Sequence, residues 1–205
     1  MSVFSSHFAN HRIAWSRAVV ILLVVVVLFS RPSRLLGIPV WIDLVSELLG
    51  YVLLVIATLW RIWCALFIAG TKNGELACEG PYSVVRNPLY IGNFLGAVGF
   101  GFAVEQPVLA VLLGALFALG YPAVIAREEA NLGRIFGERY REYCARVPRW
   151  FPNWSLYREP ELITLPPRYV RKAILDAMWF LWAFAIWEFF DGLHSFGLLP
   201  IPFHS

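Results

Sequence analysis

Pro107-Val-Leu-Ala-Val-Leu-Leu-Gly-Ala-Leu-Phe-Ala-Leu-Gly-Tyr121 is the stretch on which the fold turns. It opens with a proline, suited to the first position of a helix. It then stays apolar at a length that begins to cross a bilayer, where about 20 such residues are needed. Similar apolar blocks recur along the 205 residues, at about 13–30, 48–68, 88–103 and 174–190. Charged residues make up only 15% of the chain, against about 25% in an average soluble domain. Aromatics reach 16%, with nine tryptophans, and many flank the blocks, as expected at a membrane interface. The chain reads as an all-α integral membrane protein of about five transmembrane helices. Residues 1–205 read as a single membrane domain. The span at 88–103 is short and must borrow flanking residues or tilt. The first block is not read as a signal peptide, because Arg31-Pro32-Ser33-Arg34 is a poor cleavage site.

Basic residues set the expected orientation. With the N-terminus in the cytoplasm, Arg12, Arg17, Lys72, Arg86 and ten more from Arg127 to Lys172 fall inside. Only Arg31 and Arg34 fall outside, so the C-terminus is expected outside. The connection from Val104 to Gln106 makes a tight hairpin of the third and fourth spans. Glu188 and Asp191, near the outer end of the last span, read as surface acids. Cys64, Cys78 and Cys144 are far apart and form neither a disulfide framework nor a zinc site, so no metal is expected.

Two cytoplasmic segments carry the chemistry, at residues 70–88 and 127–171. The first ends Gly80-Pro81-Tyr82-Ser83-Val84-Val85-Arg86-Asn87-Pro88-Leu89-Tyr90. Asn87 reads as an N-cap and Pro88 as the first helical residue. Such an N-terminus either suits a carboxylate or phosphate or merely starts a membrane helix. Gly92, Gly96 and Gly99 recur at helical spacing, either for close helix packing or to leave room for a ligand.

In the second segment Ile125, Leu132, Phe136, Tyr140 and Tyr143 share one helical stripe. Glu128 and Glu129 lie on or beside it. Acids there need a cation, supplied by Arg127 or Arg86, or by a bound cationic ligand. The run Arg146-Val147-Pro148-Arg149-Trp150-Phe151-Pro152 suits lipid headgroups. Arg61, alone within a span, anchors a substrate, pairs with Glu47 or snorkels.

Gly80-Pro81-Tyr82…Arg86-Asn87-Pro88-x-Tyr90, followed by Glu128-Glu129-x-x-Leu132-x-x-x-Phe136-Gly137-x-x-Tyr140-x-x-Tyr143-x-x-Arg146-Val147-Pro148, resembles the isoprenylcysteine carboxyl methyltransferase family. That family's wider group includes phospholipid N-methyltransferases. The resemblance covers residues 70–152, a methyltransferase-like core. Residues 153–205 are then a connector and an extra C-terminal span.

The resemblance implies S-adenosyl-L-methionine as cofactor, in a pocket on the cytoplasmic side, and a lipophilic acceptor arriving from the bilayer. It implies a cofactor shell of Gly74, Glu75, Leu76, Ala77, Tyr82, Asn87, Pro88, Leu89, Tyr90 and Glu128. Arg86 and Arg127 are candidate positioning groups for the substrate. Membrane lipids are expected partners and nucleic acid is not. Two positions depart from the family pattern. Asn87 stands where histidine is usual, and Val124 where the prenylcysteine enzymes hold an arginine against the substrate carboxylate. The acceptor therefore stays open among carboxylate, amine and thiol. The alternatives are a phospholipid-amine N-methyltransferase of the same fold and a non-catalytic membrane scaffold.

Overall fold

A computed structural model of the chain describes residues 39–70 and 75–196. Its seven α-helices are α1 (Val40–Gly70), α2 (Pro81–Val84), α3 (Pro88–Ala103), α4 (Pro107–Phe136), α5 (Glu138–Arg146), α6 (Pro167–Ala177) and α7 (Trp179–Ser195). A 3-10 turn covers Trp154–Leu156. No strand occurs among the described residues.

α1 and α4 are each long and apolar enough to cross a membrane, and α6 with α7 makes a third candidate span if that bent pair is counted as one. α3 is apolar but has only 16 residues, about 24 Å at 1.5 Å per residue. It falls short of a hydrocarbon core of about 30 Å, as its composition led us to expect. The chain is an all-helical integral membrane protein. The block at 13–30 lies outside the described residues.

Without water to drive apolar surfaces together, membrane helices associate through close packing. Here glycines make it possible. A Cβ on Gly50 would stand 2.2 Å from the backbone nitrogen of Ala103. One on Gly99 would meet Leu53 Cβ at 2.8 Å, and one on Gly92 would meet Arg61 Cγ at 2.8 Å. Contacts ascending α1 thus descend α3, and the two helices lie antiparallel along their length. Gly96 faces the ring of Phe180 on α7, with a Cβ coming within 2.5 Å. Close packing, not ligand space, is what the glycine stripe serves. The core above it joins Leu54, Phe100, Leu109, Leu113, Phe117 and Phe180.

The α3–α4 hairpin has the expected three-residue connection. Glu105 takes a positive φ of 56°, a conformation that costs a non-glycine residue roughly 1 kcal/mol. Gly101 lets the returning helix approach, since a Cβ there would lie 2.4 Å from Ala110.

Three expectations are revised. First, the helix that continues past Tyr121 carries Glu128 and Glu129 on its extension but breaks at Gly137, whose φ is 56°. The stripe from Ile125 to Tyr143 is therefore split between α4 and α5. Second, the last span is not one helix over 174–190. It begins at Pro167 and bends by 43° between α6 and α7. Third, Arg61 does not pair with Glu47, which accepts a hydrogen bond from Tyr51. Arg61 instead donates to Asn93 Oδ1 and to the carbonyl of Asp176, the latter at 2.8 Å. Its guanidinium also lies 5.5 Å from the Phe180 ring centre. Carbonyls at a helix end lack intrahelical partners. Arg61 supplies one where the bend interrupts α6, and a cation suits that end of the helix dipole. Arg61→Met should lower stability by about 1.5 kcal/mol, measured by thermal unfolding in mild detergent, with the loss localised by hydrogen exchange to residues 173–180.

Candidate active site

The segment from Gly80 to Pro88 is held down by chain that follows much later. Gly80 has φ +59°, and a Cβ there would stand 2.3 Å from the Phe67 ring. Only glycine satisfies both demands. Its N–H donates to the carbonyl of Arg158 at 2.7 Å. The N–H of Asn153 donates to Val84 at 2.9 Å, and that of Arg86 to Pro148 at 3.0 Å. Ser83 Oγ accepts from the N–H of Arg158 at 3.0 Å. Residues 147–158 thus form a strap across the segment. Gly80→Ala should cost roughly 2 kcal/mol, visible as a lower detergent-melting temperature and faster proteolysis within residues 75–88.

Beneath the strap, α5 supplies Tyr143, whose hydroxyl donates to the carbonyl of Tyr82 at 2.8 Å. Burial, then the neighbouring Cys78, Tyr140 and Cys144, push the Tyr143 phenol well above its ordinary pKa. It remains a neutral donor throughout the working pH range. Leu76, Tyr140, Tyr143 and Val147 form a small apolar core, with Cys78 and Cys144 at its edge. Burial raises the Cys78 thiol as well.

The two motifs meet at Glu129. Asn87 Nδ2 donates to its Oε1 at 2.9 Å. Arg149 Nε lies 3.2 Å from Oε2, and Arg86 Nη1 lies 3.9 Å from Oε1. The Glu129 side chain is 14% exposed and that of Arg86 20%. Arg86 directs its other donors to the carbonyls of Val147 at 2.8 Å and Cys144 at 2.9 Å. One arginine therefore fastens α3's entry, α4 and the strap together. Asn87 occupies the N-cap position but makes no side-chain cap bond. This corrects its expected role: the amide reaches across to the carboxylate instead. Trp60 Nε1 donates to the Pro88 carbonyl at 2.7 Å, seating the same turn on α1.

Glu128 differs from its neighbour. It is partly buried and makes no hydrogen bond or ion pair among the described residues. A consecutive helical residue points about 100° away, which takes it out of reach of the clamp. Two cations and an amide already satisfy Glu129, and Glu128 is left as a carboxylate beside the same cluster. That donor set fits a ligand carrying a cationic group.

Of the other expected site residues, Pro88 and Tyr82 are buried, while Leu89 and Tyr90 are partly exposed. Tyr90 packs edge-on against Tyr121 at 4.8 Å, which in turn stacks on Phe117 at 4.3 Å. Leu76 is buried in the small core, Ala77 partly exposed and Glu75 exposed. Gly74 lies outside the described residues. Arg127 is exposed on α4. Arg149 is the functional neighbour that sequence reading missed. It lay in the basic-aromatic run assigned to headgroups, and its guanidinium also stands 5.2 Å from the Trp150 ring centre. Among the described residues, no three His, Cys, Asp or Glu side chains gather as metal ligands.

The clamp at Glu129 thus joins the start of α3, the α4 extension and the strap, with the unpaired Glu128 next to it in sequence. The chain belongs to the phospholipid methyltransferase superfamily, in which the protein-S-isoprenylcysteine O-methyltransferases also fall. The phospholipid methyltransferase family model matches residues 45–139. The cobalt-zinc-cadmium resistance protein CzcN of Cupriavidus metallidurans is 40% identical over 93% of this chain and 86% of its own. The nickel-cobalt-cadmium resistance protein NccN of Alcaligenes xylosoxydans is 38% identical over 88% of this chain and 83% of its own. Protein-S-isoprenylcysteine O-methyltransferase B of Arabidopsis thaliana is 31% identical over 40% of this chain and 41% of its own. No solved structure matches the chain significantly.

Proposed function

We propose that this protein is an S-adenosyl-L-methionine-dependent membrane methyltransferase acting on a lipophilic acceptor. The observation that carries the reading is the 2.9 Å bond from Asn87 to Glu129, which joins two motifs 42 residues apart. The Asn87 turn and the acidic motif therefore border one place.

When bound, the cofactor supplies a methyl group activated on a sulfonium. Glu128 would face its cationic part, with Tyr90 offering an aromatic surface. The turn at Asn87, Pro88 and Leu89 would take its carboxylate. Tyr82 and the 74–77 segment complete the shell. With so good a leaving group, the protein's task is alignment and exclusion of water. Arg86 is committed to the clamp and positions the wall of the site. Arg127, exposed on the α4 extension, is the cation available to an incoming acceptor.

The reading includes five spans in one domain, a 70–152 core, the N-terminus in the cytoplasm and the site on that face. The basic residues of 127–172 support that orientation. Membrane lipid supplies the acceptor's surroundings, and no nucleic acid takes part. A carboxylate acceptor needs only a cation to hold it, whereas an amine must lose a proton.

The test uses purified protein in detergent with methyl-labelled cofactor and total membrane lipid. Base-labile volatile label identifies an ester, and stable lipid label an amine, as in the phospholipid alternative. Cofactor binding without any product would support the scaffold alternative instead. Val124→Arg should not by itself create prenylcysteine methylation, because one side chain does not reshape the surrounding pocket; gain of that activity would contradict this.

The identity to the metal-resistance relatives over most of both chains favours one addition. A metal-tolerance role would here rest on methylating a membrane component. In a metal-sensitive deletion strain, wild type should restore tolerance and Glu128→Ala should not.

A further inference from the structure

α6 sits apart from the site and has a different chemistry on its outer side. Arg168, Arg171 and Lys172 are all exposed, while Ala173 and Ala177 are buried against the bundle. Asp176 is the only acid in the helix. Arg168 lies over the ring of Tyr169, 4.9 Å from its centre. Arg171 and Lys172 make no ion pair among the described residues.

Beside this cationic face runs a shallow groove lined by Leu165, Pro167, Val170, Arg171, Ile174 and Leu175. Pro167, Val170, Arg171 and Ile174 recur at helical spacing, so one face of the helix forms the floor. The groove is apolar except for Arg171. Of its lining, Ile174 and Leu175 stay exposed at 39% and 57%, and further along the chain Trp179 and Trp182 at 46% and 55%.

The order of these groups along the helix is informative. Arg61, within the apolar length of α1, holds the carbonyl of Asp176. Arg171 is five residues earlier, about 7.5 Å along the helix. Arg168 is about 4.5 Å further still. The cations therefore lie at the start of α6, and the exposed apolar residues follow toward the depth marked by Arg61. That is the order of a phospholipid, with the phosphate first and acyl chains beyond it.

We propose that the start of α6 binds an anionic phospholipid, its phosphate on Arg168, Arg171 and Lys172 and an acyl chain in the Val170–Ile174 groove. Charge complementarity selects the occupant. Three cations against one acid favour a lipid with net negative charge over a zwitterionic one. The proposal does not depend on the methyltransferase reading.

The full chain in non-ionic detergent is titrated with dioleoyl phosphatidylglycerol or dioleoyl phosphatidylcholine, and retained lipid is counted by native mass spectrometry. Wild type should retain phosphatidylglycerol preferentially. Each of Arg168→Gln, Arg171→Gln and Lys172→Gln should reduce that preference roughly fivefold. Asp176→Asn should increase it. A phosphatidylglycerol with a photoreactive group in its acyl chain should label residues 165–175. Equal retention of the two lipids by wild type would overturn the proposal. So would an undiminished preference in the triple glutamine variant, or labelling confined to other helices. All four substitutions are at exposed positions, and circular dichroism of each variant should match wild type.

Discussion

Glu129→Ala should destabilise the protein by about 2 kcal/mol or more, because it strips two arginines of their common acceptor. A fully buried pair broken in this way costs roughly 3–5 kcal/mol. The discount reflects side-chain exposures of 20% at Arg86 and 33% at Arg149. Asn87 loses its acceptor in the same step. Arg86 keeps its bonds to Val147 and Cys144, so the strap should loosen rather than detach. Thermal unfolding in detergent gives the magnitude, and protease sensitivity at residues 147–158 gives the location. Glu129→Gln should fall between the two, since it retains an oxygen acceptor but not the charge. A Glu129→Ala protein as stable as wild type, with a protected strap, would show that the carboxylate does not hold these elements together.

Glu128→Ala should leave that architecture intact and weaken S-adenosyl-L-methionine binding about 10- to 100-fold, the range for losing one charged partner. Calorimetry on the detergent-solubilised protein measures it. The contrast between two adjacent acids is the informative part. Glu129 is bonded within the protein and Glu128 is not, so on the proposed reading stability and affinity should respond separately. Unchanged affinity in Glu128→Ala would remove this residue from the site.

The long apolar helices were legible because bilayer thickness imposes a length and a composition together. The α3–α4 hairpin followed from three residues that separate two apolar blocks, the second opened by Pro107. The meeting of the Asn87 turn with the acidic pair was legible as well, through paired motifs. Which acid turned inward was not. Both flank the stripe, and the choice depends on where Arg149 arrives from a segment that follows the Gly137 break. Arg61 was unreadable for another reason. One of its partners is a backbone carbonyl freed by a bend after Ala177, and backbone groups carry no mark in the sequence. Asn87 misled because its residue type is a good cap, and the carboxylate across the gap competes better for its amide.

The strap has a consequence for how the molecule is made. The backbone N–H groups of Gly80 and Arg86 and the carbonyl of Val84 find their partners in Arg158, Pro148 and Asn153. During synthesis, α1, α3 and α4 leave the ribosome well before those residues do. A nascent chain can therefore form its long helices while the backbone groups of Gly80, Val84 and Arg86 still bond to water. A cut anywhere between Val147 and Arg158 in the finished protein would return it to that juvenile form.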